Sequence, residues 1–197
     1  MYFGTKGNPK GKLFNVLRPD GTSDVFVFYS GHGSPDVNDQ KGYFVPVDAD
    51  PQYVGVSGYS LDLLYENLAQ LPAKSVTAVL DACFSGSGLL ENISPVRIKF
   101  TNALMAIKNG IVLSSSTGDQ VSSWYPEKRH GLFTYFFLKA MHNRNADLNK
   151  DGLLTFEEVI NYVADPNEGV PRYARKLHNV EQNPAMMGDK SKVFVKY

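Results

Sequence analysis

The 197-residue chain has a single cysteine, Cys83, a single tryptophan, Trp124, and no excess of charge, with 20 Lys and Arg against 20 Asp and Glu. One thiol excludes an intrachain disulfide and any metal site built from several cysteines. Balanced charge lacks the electrostatic footprint of a nucleic-acid binder or of a protein held on an anionic membrane surface, so no nucleic-acid partner is expected. No apolar run approaches the ~18 residues of a bilayer-spanning helix, so no membrane partner is expected either. The opening MYFGTKGNPKGK lacks the apolar stretch of an export signal, and the expected location is cytoplasmic. Internal repeats, low-complexity tracts and an interdomain linker are also missing. One domain over residues 1–197 is therefore expected, in line with single cores of about 100–200 residues. Specificity must then reside in a local site.

What is present reads as alternating strands and helices. Residues 1–23 are rich in Gly, Lys and Pro and read as an irregular segment, with only KLFNVL (Lys12 to Leu17) looking ordered. Asp24 to Tyr29 is a continuous apolar and aromatic run, the pattern of a strand covered on both faces. Tyr43 to Asp48 suggests a small side strand. Ser60 is placed to cap a helix with apolar residues Leu61, Leu64, Tyr65, Leu68 and Leu71 at helical spacing, ending by Pro72. Val76 to Leu80 reads as a second buried strand, Thr101 to Asn109 as a helix closed by Gly110, and Ile111 to Ser116 as a third strand. Gly131 to His142 and Phe156 to Val163 read as helices, and Val193 to Tyr197 as a last strand. Strands separated by helices imply crossover connections, an α/β fold and a mostly parallel sheet.

In such a sheet chemistry gathers at the carboxyl ends of the strands. The first strand runs into Ser30-Gly31-His32-Gly33 and the second into DACFSGSG, Asp81 to Gly88. Glycines beside His32 permit close approach of a substrate backbone and leave an amide such as that of Gly33 available to a ligand. Cys83 is followed by small residues that favour an exposed turn. A cysteine nucleophile needs a base and oxyanion donors, and both are at hand. Taken singly, Cys83 reads as core filler and His32 as a turn residue; His130, His142 and His178 lack comparable context and read as surface or helix residues.

YSGHG (Tyr29 to Gly33) and DACFSG (Asp81 to Gly86), each after a buried strand and with His32 and Cys83 51 positions apart, resemble the caspase-hemoglobinase fold. The closest likeness is to its metacaspase, paracaspase and bacterial caspase-like branch. The likeness extends through GYFVPVDAD (Gly42 to Asp50), Ser114 to Met141 and QNPAMMG (Gln182 to Gly188). It implies a three-layer sandwich and a cysteine endopeptidase in which Cys83 is the nucleophile, His32 the base and later the acid, and the amides of Gly33 and Cys83 the oxyanion hole.

Residues i and i+2 of a strand point the same way, so an extended Asp81 puts its carboxylate on the side of the Cys83 sulfur. There it lines the pocket for the substrate residue before the scissile bond. A cation about 4 Å away at an effective dielectric near 20 gains on the order of 4 kcal/mol before desolvation, and an acidic residue is repelled comparably. Cleavage after Arg or Lys is expected, which agrees with the resemblance: metacaspases and paracaspases cut after basic residues, while caspases, with glutamine two places before the cysteine, cut after Asp. The alternative role for Asp81 is to cap the turn after the strand. Ser115 and Asp119 are further pocket candidates, and Trp124 and Tyr125 are candidates for an apolar wall. Arg97 and Lys99, behind the nucleophile, are either self-cleavage sites or solvated loop charges.

DLNKDGLLTFEE, Asp147 to Glu158, fits the calcium-loop pattern at every fixed position. Asp147, Asn149, Asp151, the carbonyl of Leu153, Thr155 and Glu158 would supply oxygen, with Gly152 at the bend; Ca2+ is the one cofactor the sequence suggests. The same residues also favour a plain turn, and Thr155 with Glu158 forms a capping box. A solitary loop lacks the partner that stiffens such sites.

Caspase-like domains place a strand, a helix and another strand ahead of the histidine-bearing strand, and residues 1–23 do not read as those elements. The Asp24 strand is therefore expected at a bare sheet edge, to be covered by a second copy or another chain. Two further readings follow: an inactive or truncated caspase-like interaction module, and a calcium-sensing module.

Overall fold

The computed structural model of the chain describes residues 2–36, 39, 41–84, 106–117 and 120–197. Its main sheet runs in the order β1 (Ser23–Ser30), β5 (Ala73–Asp81), β6 (Gly110–Ser114), β10 (Ala185–Met187). β1, β5 and β6 are parallel and β10 closes the far side antiparallel. A three-stranded flap of β2 (Gly33–Pro35), β3 (Gly42–Phe44) and β4 (Tyr59–Ser60) follows β1, and a hairpin of β7 (Trp124–Tyr125) and β8 (His130–Gly131) follows β6.

Side-chain alternation divides the core into two layers. Val25 and Val27 of β1, Val76, Ala78 and Leu80 of β5, and Val112 of β6 pack with Leu61, Leu64, Tyr65 and Leu68 of one helix, Leu61–Ala69. Ser60 caps this helix through its hydroxyl, which accepts from Leu63 N–H, and the helix ends before Pro72. The opposite face puts Val79, Ile111 and Leu113 against Leu132, Phe133, Phe136 and Phe137 of α3 (Leu132–Met141), with α1 (Lys12–Val16) and α2 (Leu61–Ala69) preceding it in the chain. Behind α3 pack α4 (Phe156–Val163) and α5 (Val170–His178). The result is an α/β sandwich of helix, sheet and helix.

Several expectations need correction. β1 is not covered on both faces: Val25 and Val27 are buried, but Phe26 and Phe28 remain 53% and 45% exposed on the other side. An apolar run encodes only a wish for burial, and β1 is the edge strand of the described sheet. The 1–23 segment contains the short helix α1, and Phe3, Leu13 and Leu17 pack against the α2-side core. Of the expected helix over 101–109, residues 101–105 lie outside those described. Residues 106–109 form turns, Asn109 takes the left-handed conformation (φ 50°), and Gly110 begins β6 rather than closing a helix. The C-terminal strand, β11 (Val193–Lys196), pairs not with the main sheet but with β9 (Leu153–Thr155). β10 and α5 had no clear sequence signal: β10 is three residues long, and α5 buries only Val170, Pro171 and Ala174.

Candidate active site

The β1–β5 register ends with Ser30 opposite Asp81, and Gly31 N–H donates to Asp81 O at 3.1 Å to extend the ladder by one step. His32 and Cys83 each lie two residues past that last pair, on strand tips whose axes are about 4.8 Å apart. Both line one cavity of about 460 Å3 together with Ser30, Gly31, Asp81, Ser122, Ser123, Trp124 and Gly131. His32 is exposed and Cys83 half-buried. The sequence-predicted pair thus meets in a common cleft.

Backbone bonds hold both tips. The carbonyl of His32 accepts from Val45 N–H (3.0 Å) and from the Tyr29 hydroxyl (2.7 Å). The first of these bonds makes Gly33 and Phe44 a non-hydrogen-bonded antiparallel pair, so Gly33 N–H faces away from β3. Chain packing is close here: a methyl on Gly33 would stand 2.8 Å from Cys83 O and 2.6 Å from the Phe84 ring. On the other tip, the Ser122 and Ser115 hydroxyls lie 3.2 and 3.4 Å from Ala82 O and also contact each other, so that one donates to the carbonyl and the other to its neighbouring hydroxyl. Ser115 N–H also donates to Leu80 O at 2.9 Å.

Asp81 points with Val79 toward α3, as alternation requires. Its Oδ2 accepts from Thr134 N–H (3.1 Å) and Thr134 Oγ1–H (2.6 Å) at the first turn of that helix. Burial, only partly offset by the hydroxyl and amide of Thr134 and the hydroxyl of Ser115, raises its pKa above the ordinary carboxylate value. Thr134 was not foreseen; a lone threonine in the apolar run GLFTYFFL was the available signal.

Other candidates fall differently. Trp124 lines the cleft and is 55% exposed. Tyr125 does not line it: the ring is buried against Tyr135 and Tyr173, so it belongs to the core. Ser115 is fully buried and also does not line the cavity; it holds the backbone that carries Cys83 instead of facing a ligand. Asp119, Arg97 and Lys99 lie outside the described residues. Sequence reasoning also missed Gln182, fully buried, whose Oε1 accepts from Ser123 N–H (2.9 Å) and whose Nε2 donates to Ser115 O (3.1 Å). His178, read as an ordinary helix residue, bonds Trp124 O through Nε2. Both clamp the strap that forms one wall of the cleft.

The calcium-pattern residues sit apart from this cleft, between α3 and α4. Glu158 accepts from Thr155 N–H (2.9 Å) and Thr155 Oγ1–H (2.8 Å), while Glu158 N–H donates back to Thr155 Oγ1 (3.2 Å), a complete capping box. Among the described residues no three His, Cys, Asp or Glu side chains are gathered as a preformed metal cluster. β9, which the loop leads into, is paired by β11.

No helix of the described residues is long and apolar enough to cross a membrane. The caspase domain family model of peptidases matches residues 8–194, nearly the whole chain. The chain therefore belongs to the caspase-like cysteine peptidases, and the sandwich described above is their α/β fold. No curated protein matches it significantly.

Proposed function

We propose that this domain is a cysteine endopeptidase that cleaves after Arg or Lys through a Cys83–His32 dyad. Cys83 Sγ, relieved of its proton by His32, attacks the scissile carbonyl carbon. The oxyanion is held by the amides of Gly33 and Cys83. His32 then gives its proton to the leaving amine, leaving an acyl-enzyme on Cys83. Water, deprotonated by His32, attacks that thioester and releases the acid and the thiol.

The observation that carries the substrate preference is Asp81: a buried carboxylate in the same cavity as Cys83 and His32, whose described lining includes no Lys or Arg. A guanidinium or ammonium entering the cavity supplies the missing charge. Ser123, whose buried hydroxyl oxygen has no hydrogen-bond partner among the described residues, lies at the same wall. Fluorogenic peptides ending in Arg, Lys or Asp test it, with Cys83→Ala as control. Turnover of the Arg and Lys peptides that disappears in Cys83→Ala is expected; turnover of the Asp peptide alone would refute the pocket assignment.

A second reading, an interaction module, is favoured by one observation. β1 lies at the edge of the described sheet with Phe26 and Phe28 exposed, the surface on which another chain would dock.

A further inference from the structure

The loop Asp147–Glu158 takes no part in peptide hydrolysis, yet its polar side chains are arranged as a set. Asp147 Oδ2 accepts from Gly152 N–H (3.2 Å), Asn149 Oδ1 from Asp151 N–H (2.9 Å), and Asp151 Oδ1 from Leu153 N–H (2.7 Å). Each of the three side chains thus uses one oxygen on the loop backbone and is held facing the turn. Gly152 makes the bend at φ 80°, a conformation that disfavours side chains.

Asp147 stands out. It is only 5% exposed, and its second oxygen, Oδ1, is buried with no hydrogen-bond partner among the described residues. A buried carboxylate oxygen without a donor is unfavourable, and native proteins rarely leave one. Because Gly152 N–H fixes the other oxygen, Oδ1 is held within the loop. The described residues offer it no donor there, and a cation would satisfy it.

We propose that the loop binds one calcium ion, through Asp147 Oδ1, the side-chain oxygens of Asn149 and Asp151, the Leu153 carbonyl and the Glu158 carboxylate. An all-oxygen set drawn from one twelve-residue loop suits calcium better than magnesium, which demands a tight octahedron and keeps its waters. Three carboxylates bring the charge. Glu158 exchanges its bond to Thr155 for the ion, which ties the start of α4 to the loop. The exit of the loop is already braced: Tyr197 N–H donates to Gly152 O at 2.9 Å, and β11 pairs β9. From β11, Phe194 reaches Phe156 of α4, Phe137 of α3 and Phe26 of β1, at ring-centroid distances of 4.8, 5.8 and 6.1 Å.

The test uses the full chain with Cys83→Ala, stripped of divalent ions by a chelator. It is titrated with calcium chloride by calorimetry and melted with and without the ion, beside the same chain carrying Glu158→Gln. Glutamine still serves a capping box, so the helix start survives while one ligand charge is lost. One calcium per chain, a Kd below about 1 mM, a raised Tm and at least tenfold weaker binding in Glu158→Gln are expected. No heat and no change in Tm in the parent, or equal binding in the two proteins, would overturn the site.

Discussion

Burial favours the neutral form of the Asp81 carboxylate, whereas recognition of a cationic side chain needs the charged form. With its folded pKa raised, Asp81 contributes stability that is complete below the unfolded value and is lost as pH rises through the folded one. The charged form of the group therefore weakens the fold. Asp81→Asn should raise the Tm at pH 7 while lowering kcat/KM for Arg peptides by about 100-fold or more, since each ~1.4 kcal/mol of lost attraction is a factor of ten. In the parent, kcat/KM for the same peptides should fall with acidification before an ordinary carboxylate would titrate, a limb that a pH profile of Asp81→Asn should lack. Gly131 offers a second test. A methyl there would stand 2.2 Å from Asp81 Oδ2, so Gly131→Ala should depress kcat/KM for Arg peptides at least tenfold, read by steady-state assay beside circular dichroism of the fold. The meeting of His32, Cys83 and Asp81 in one cleft was legible in the sequence because strand alternation and strand ends fix direction. The burial of Ser115 and Tyr125 was not, because their neighbours come from elements remote in the chain.

Among the elements, α4 shows the most complete local coding. Thr155 and Glu158 cap each other's backbone, and Phe156, Val159, Ile160 and Val163 form its buried face. Thr155→Ala should destabilise the domain by about 1 kcal/mol. For a chain of this size that is a drop in Tm of roughly 2–4 °C, measurable by calorimetric melting. The bounds of α4 were readable from the sequence for the same reason: cap, periodicity and apolar face agree. β10 lacks such agreement. AMM after Pro184 has no alternation to detect, and Ala185, Met186 and Met187 become a strand only because Ser114, Leu113 and Val112 lie alongside. α5 was hidden by its composition, since a surface helix with Arg172, Arg175 and Lys176 shows few apolar positions. Propensity here yields to tertiary contact.

For the whole molecule, the decisive arrangement is the order β1-β5-β6-β10, with β1 outermost among the described strands. The sequence suggested this edge, but not how open it is. Phe26 and Phe28 line a groove of about 550 Å3 with Phe137, Leu138, Met141 and Phe194. Such an edge invites pairing with another strand. Sedimentation velocity on the Cys83→Ala chain should show concentration-dependent self-association, reduced at least tenfold by Phe26→Lys together with Phe28→Lys; a monomer at every concentration would exclude edge pairing between copies. The same edge strand ends at His32, and the groove shares Ser30, Trp124 and Gly131 with the cleft. Whatever zips onto β1 therefore grips the segment that aims the imidazole, so company at this border and catalytic alignment are set by a single stretch of backbone.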